Sequence, residues 1–248
     1  EDPEVRYVEP NYRVELFETV PNDPRYGSQW ALAQVQASKA WDITRGSDDV
    51  VIAIIDTGVD SGHPDLANRL TASDTWYDFG NGDSDPRDTY GHGTHCAGIA
   101  AASSNNGEGV VGISWNARIM PVKVFPDGSG STSSYQVARG ILHAANHDAD
   151  IISLSLGSSN PSELQREAIE YAHNQGVVVV AAAGNSDSSR KHYPAAFDYV
   201  ISVASTDSRD LKSSFSNYGA WVDVSAPGSS ILSTMPTYPV KLNDYGYT

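Results

Sequence analysis

Val51-Ile52-Ala53-Ile54-Ile55-Asp56-Thr57-Gly58 opens with five apolar, mostly β-branched residues and closes on an acid and a turn. An unbroken apolar run of this length marks a parallel strand covered on both faces, because a strand with one wet face alternates. Residues 151–156, 177–183 and 200–204 repeat the pattern. Between them lie helical patterns at 135–146 and 162–174, the second with a Ser162/Gln165 capping box and a stop at Gly176. Alternating strand and helix predict an α/β fold: an open, mostly parallel central sheet, helices on both faces, right-handed crossovers. Functional groups then gather at the carboxyl ends of the strands, where Asp56, Gly157 and Asn185 stand.

The chain has 248 residues, 40% hydrophobic and 19% charged, which suits one large domain. Its longest apolar run, 177–183, is far too short to cross a bilayer, so no membrane partner is expected. A net charge of -15 repels phosphate backbones and argues against a nucleic-acid partner. The acids either solvate the surface or supply oxygen ligands to a hard cation. A lone cysteine, Cys96, excludes an internal disulfide and a cysteine-based zinc site. Residues 1–18 differ from the rest: 5–8 read as a short strand, 9–11 as a turn, and acids are dense. Glu1-Asp2-Pro3-Glu4 has neither the basic nor the apolar region of a signal peptide, so the start reads as a processed end or a cytosolic one.

Chemistry concentrates in Tyr90-Gly91-His92-Gly93-Thr94-His95-Cys96-Ala97-Gly98. An aspartate at a strand end can orient an imidazole, fix its tautomer and stabilise the imidazolium; Asp56 and His92 are candidates. His92 begins a helix, 93–102, whose small residues permit close packing. His92 and His95, at i and i+3, also admit a metallohydrolase built on Asp56, His92 and His95, although no Glu stands between them. Cys96 lies one turn from His92 and reads as a packed thiol rather than a nucleophile.

Asp56-Thr57-Gly58, His63-Pro64-Asp65-Leu66, His92 to Gly98 and Ala183-Gly184-Asn185 together resemble the subtilisin-like serine proteases from about residue 20 onward. The resemblance implies a secreted endopeptidase of broad specificity acting on proteins and peptides through an Asp-His-Ser triad and an acyl-enzyme. Asp56 would orient, His92 act as base and acid, and Asn185 donate to the oxyanion. Gly128, Ser129 and Gly130 with Ser155, Leu156 and Gly157 match the strands between which a substrate adds as a β-strand. Ala182, Ala183 and Gly184 match the pocket wall for the residue before the cut.

No serine lies in a Gly-Thr-Ser-x-Ala context. The resemblance places the nucleophile beyond Tyr245-Gly246-Tyr247-Thr248, on a buried helix, so 19–248 reads as a catalytic domain truncated before that helix. The partner implied is a C-terminal segment carrying the serine; without it the sheet exposes apolar surface at roughly 25 cal/mol per Å², and residues 1–248 are expected neither to fold nor to act alone. Residues 1–18 resemble the end of an inhibitory prosegment, with 13–18 along the substrate position; the alternative is an ordinary N-terminal arm. Calcium is the implied cofactor. Asp23, Asp65, Ser103, Asn106, Glu108 and Val110 match one site; the acidic run Asp78, Asn81, Asp83, Asp85 and Asp88 resembles a second, held mainly by Asp78, Asp83 and Asp85, in which Arg87 replaces a neutral ligand. A non-catalytic peptide-binding member of the family is the remaining alternative.

Overall fold

A computed structural model describes residues 4–13, 18–242 and the backbone of 246–247. Seven parallel strands form the main sheet: β1 (Val51–Asp56), β2 (Tyr77–Asp78), β3 (Arg118–Lys123), β4 (Ile151–Leu154), β5 (Val178–Ala182), β6 (Val200–Thr206) and β7 (Val224–Pro227). Their spatial order is β2-β3-β1-β4-β5-β6-β7, which puts β1 between β3 and β4 and Asp56 near the middle of the carboxyl edge. The α/β expectation holds.

The helices are α1 (Trp30–Gln34), α2 (Ala37–Trp41), α3 (His92–Ala101), α4 (Ser134–Asn146) and α5 (Glu163–Asn174). Alternate residues of β1 face opposite layers, as strand geometry requires. Ala53 and Ile55 pack with Val122, Ile141 of α4 and Ile169 of α5. Ile52 and Ile54 pack with Ile119 and with Ala97 and Ala101 of α3. Burial of each isoleucine stabilises the fold by about 1.5–3 kcal/mol.

Only part of the α3-side face is covered. Val178, Ile201 and Val224 on β5 to β7 are exposed, and a trough of about 370 Å³ runs between Val180, Val203, Ala226 and Ile99 of α3.

Three strands of the sheet escaped the apolar-run criterion for visible reasons. β2 is only two residues long, Tyr77–Asp78. β3 carries Pro121, which removes a ladder donor; β2 pairs only with Val122 and Lys123, so no strand on that side pairs with Pro121. β7 is a short edge strand with exposed Val224 and Ser225. In α5, Ser162 is the N-cap but its side chain makes no cap hydrogen bond, and Gln165 is buried, so the capping box does not form. Ser133 does cap α4, accepting from the Gln136 amide at 3.2 Å. Gly176 closes α5 as expected, at φ 87°.

Residues 5–8 form no strand and are exposed, because they find no sheet edge. Of the arm's expected substrate-like stretch, 14–17 lie outside the described residues, as do Tyr245 and Thr248. Gly246–Tyr247 (β9) pairs antiparallel with Thr234–Met235 (β8).

Candidate active site

Asp56 ends β1 with its side chain almost wholly buried, and His92 begins α3 with its ring about half exposed. His92 Nδ1 lies 2.8 Å from Asp56 Oδ1, which also accepts the Thr57 amide at 2.7 Å. With Nδ1 committed to the carboxylate, Nε2 is left for a proton taken from outside. The neighbouring Cys96 sulfur and the Asp56 carboxylate push the His92 pKa above its ordinary value, against burial, which pulls it down.

Close approach of α3 to the end of β1 makes this contact possible. A Cβ at Gly93 would stand 2.1 Å from the Gly58 carbonyl oxygen and 3.1 Å from Asp56 Cβ. Glycine is therefore required there for lack of space.

His92 opens onto a cavity of about 560 Å³ lined also by Thr57, Tyr90, Gly130, Ser155 and Gly157. Ser155, Leu156 and Gly157 also line an adjoining cavity of about 240 Å³ with Ala182, Gly184 and Asn185. Two groups expected from sequence thus share one wall. Gly128 and Ser129 line neither cavity; they form a turn in which the Ser129 amide donates to Pro126 O at 3.0 Å. Ala183 is buried and borders the trough instead.

Residue patterns missed several supports. Asn217 is buried; its Nδ2 donates to Ala183 O at 2.8 Å and its Oδ1 accepts from Ser186 N at 2.9 Å, clamping the loop that carries Asn185. His192 packs against Gly157 and Gly184, and burial lowers its pKa. Neither sits in a motif, since each acts by a contact between segments distant in sequence.

The two competing readings of the helix can be tested on geometry. His95 turns Nε2 to the Ile231 carbonyl at 3.0 Å, away from Asp56. Among the described residues the acid, imidazole and thiol that converge are Asp56, His92 and Cys96, so the expected Asp56/His92/His95 set does not form. Cys96 Sγ lies 3.9 Å from Nδ1, the nitrogen facing Asp56, and so stands behind the base and not before it.

The subtilase family model (peptidase S8) matches residues 47–248. The chain belongs to the subtilase family. Thermitase of Thermoactinomyces vulgaris is 51% identical over 88% of this subtilase and 76% of its own length. A thermophilic serine proteinase of Bacillus sp. strain AK1 is 46% identical over 94% of the chain but 57% of its own length. The chain therefore spans little more than half of that relative. A solved protease from Pseudoalteromonas arctica superposes with a TM-score of 0.82 at 32% identity, covering 93% of this chain and 82% of that one.

Of the two candidate calcium sets in this subtilase, the first converges. Asp23 and Asp65 are buried, and burial is the largest cause raising the Asp23 pKa. Asp23 accepts the Asn105 amide at 2.7 Å; Asp65 accepts Asn106 Nδ2 at 2.9 Å and the Val110 amide at 2.9 Å. Both carboxylates are drawn onto one loop, 103–110, by its N–H groups; Asn106 turns Nδ2 to Asp65 while its Oδ1 accepts the Glu108 amide at 3.0 Å, so this oxygen-rich loop fits a hard cation once that side-chain amide is turned over. The second set does not fit one. Buried Asp78 meets the Lys123 ammonium at 2.8 Å, while exposed Asp83 and Asp85 accept the amides of Asp85 and Arg87 within their own loop. A fixed ammonium already occupies the charged side of Asp78, which is why these acids do not gather.

Proposed function

We propose that this subtilase is the Asp-His part of a secreted, calcium-stabilised serine endopeptidase of broad specificity, completed by a segment that brings the serine. The observation that carries the reading is the 2.8 Å contact between Asp56 and His92 with the ring open to a cleft. In this reading His92 Nε2 removes the proton of the attacking serine hydroxyl, and Asp56 holds the resulting imidazolium. The Asn185 amide donates to the oxyanion as the acyl-enzyme forms. His92 then returns the proton to the leaving amine.

Specificity follows from how the cleft holds a chain. Gly130 and Ser155 to Gly157 present backbone along one cavity, which suits a peptide added as a strand and makes affinity depend little on its side chains. Ala182 and Gly184 leave room beside Asn185 for a large apolar side chain before the cut.

The apolar trough on β5 to β7 supports the serine-bearing partner, since a helix laid there would end beside the cleft that holds Ser155 and Asn185. Asp23, Asp65, Asn106 and the carbonyls of Ser103, Glu108 and Val110 would hold a calcium ion that ties the loop 103–110 to Asp23. Residues 1–18 are read as the end of the protein's own inhibitory prosegment. Secretion is supported by relatives such as the halolysin-like extracellular serine protease Nep of Natrialba magadii, 41% identical over 95% of this chain.

The chain together with its serine-bearing segment should hydrolyse unrelated peptides and label covalently with a fluorophosphonate. Asp56→Asn and His92→Ala should lose turnover while still binding peptide. Peptide binding without labelling or turnover in the assembled protein would favour the non-catalytic family member instead.

A further inference from the structure

Asp88 ends the acidic run read from sequence as a second calcium loop, yet its side chain is fully buried and surrounded by N–H and O–H donors. Oδ1 accepts from Thr57 Oγ1 at 2.9 Å, from the Tyr90 amide at 3.0 Å and from the Gly91 amide at 2.7 Å. Oδ2 accepts from the Thr94 amide at 2.9 Å and from Thr94 Oγ1 at 2.7 Å. The N-cap of α3, Gly91, has no side chain to cap with. Asp88 therefore satisfies the Gly91 and Thr94 amides at the helix start, which an N-cap side chain ordinarily does for one of them.

Its reach extends to the other half of the dyad. Thr57 follows Asp56 directly, donates its hydroxyl proton to Asp88 and accepts the Gly93 amide at 2.9 Å. One carboxylate thus bonds on one side to the residue after Asp56 and on the other to the residues flanking His92. Hydrogen bonds to an ionised, water-excluded acceptor are shorter and stronger than neutral ones, and the low dielectric makes their loss costly.

We infer that Asp88 is a positioning residue for the reaction proposed above, fixing the separation and angle of the Asp56–His92 pair by locking the β1 end to the start of α3. It touches no substrate. Its effect is on the geometry of the base, where a displacement of about 1 Å can cost about 10²-fold in rate. Asp88→Asn places an NH2 group against donors and should undo the lock; Thr57→Val leaves Asp88 intact and removes the bridge to it together with the acceptor of the Gly93 amide.

The test is made on the assembled, serine-containing protein with a peptide substrate. Both variants should lower kcat by about 10- to 10²-fold with KM within about twofold, and both should weaken or abolish the low-field proton resonance of the His92 Nδ1–H in the Asp56 bond. The resonance needs no turnover, so it separates this inference from the protease reading: an inactive wild type showing the resonance, with the resonance lost in the variants, upholds the lock and refutes the protease. A folded variant with wild-type kcat and an unchanged resonance overturns the inference. If Asp88→Asn fails to fold, Thr57→Val decides, and failure of both to fold assigns Asp88 to the scaffold alone and likewise overturns it.

Discussion

Cys96 Sγ and His92 Nδ1 are 3.9 Å apart, one helical turn along α3, on the side of the ring that faces Asp56. Sulfur and carboxylate both raise the pKa of the imidazole. General-base action needs the neutral ring, so a raised pKa delays activity to higher pH. The acid limb of kcat/KM should therefore lie above the ordinary value of 6.5. Cys96→Val should move that limb to lower pH, read from a pH-rate profile. Linkage has the opposite sense: with the folded pKa raised, His92 contributes stability below the unfolded value, and that contribution is lost as pH climbs through the folded one.

Asp56→Asn keeps the shape of the side chain but removes the charge that fixes the His92 tautomer. The expected loss is about 10⁴-fold in kcat with little change in KM. Asn185→Ala should cost roughly 10²–10³ in kcat, a magnitude established on a subtilisin and so on a relative of this protein. Steady-state kinetics on one peptide substrate would check both.

Lys123 is buried at the end of β3, paired in register with Asp56, and its ammonium meets Asp78 at 2.8 Å and also Asp127. Removing one partner of a buried pair leaves the other charge uncompensated. Lys123→Met should destabilise by about 3–5 kcal/mol, measured by denaturant unfolding. Adding Asp78→Asn should restore part of that loss, since the two residues interact directly.

Calcium should raise the unfolding midpoint, by the equivalent of about 4 kcal/mol at a thousand times its Kd, and a chelator should reverse the gain. Asp65→Asn should abolish the response, whereas Asp83→Asn should leave it intact. Equal effects of the two substitutions would place the ion elsewhere. The measurement is Tm against calcium concentration.

How much of this was legible beforehand varied with the distance between the residues involved. The runs at 51–55 and 200–204 announce buried parallel strands because a strand covered on both faces tolerates few polar side chains, and β1 and β6 are where they were expected. β3 was hidden by Pro121, which is tolerable because no strand on the β2 side pairs with it. The strand expected at 5–8 is absent because local β propensity means little without an edge to pair with.

The sequence alone determined the inner strands β1, β4, β5 and β6, the dyad and the family, because strand runs are local and Asp56-Thr57-Gly58 and His92-Gly93-Thr94-His95 are contiguous. Only the tertiary structure decided the supports. Asp88 holds two segments at once, Asn217 clamps a loop more than thirty residues away, and Lys123 takes the place next to Asp78 that a cation would need. These are pairings between distant segments, set by how the chain closes on itself, and no residue in such a pair carries a mark of its partner.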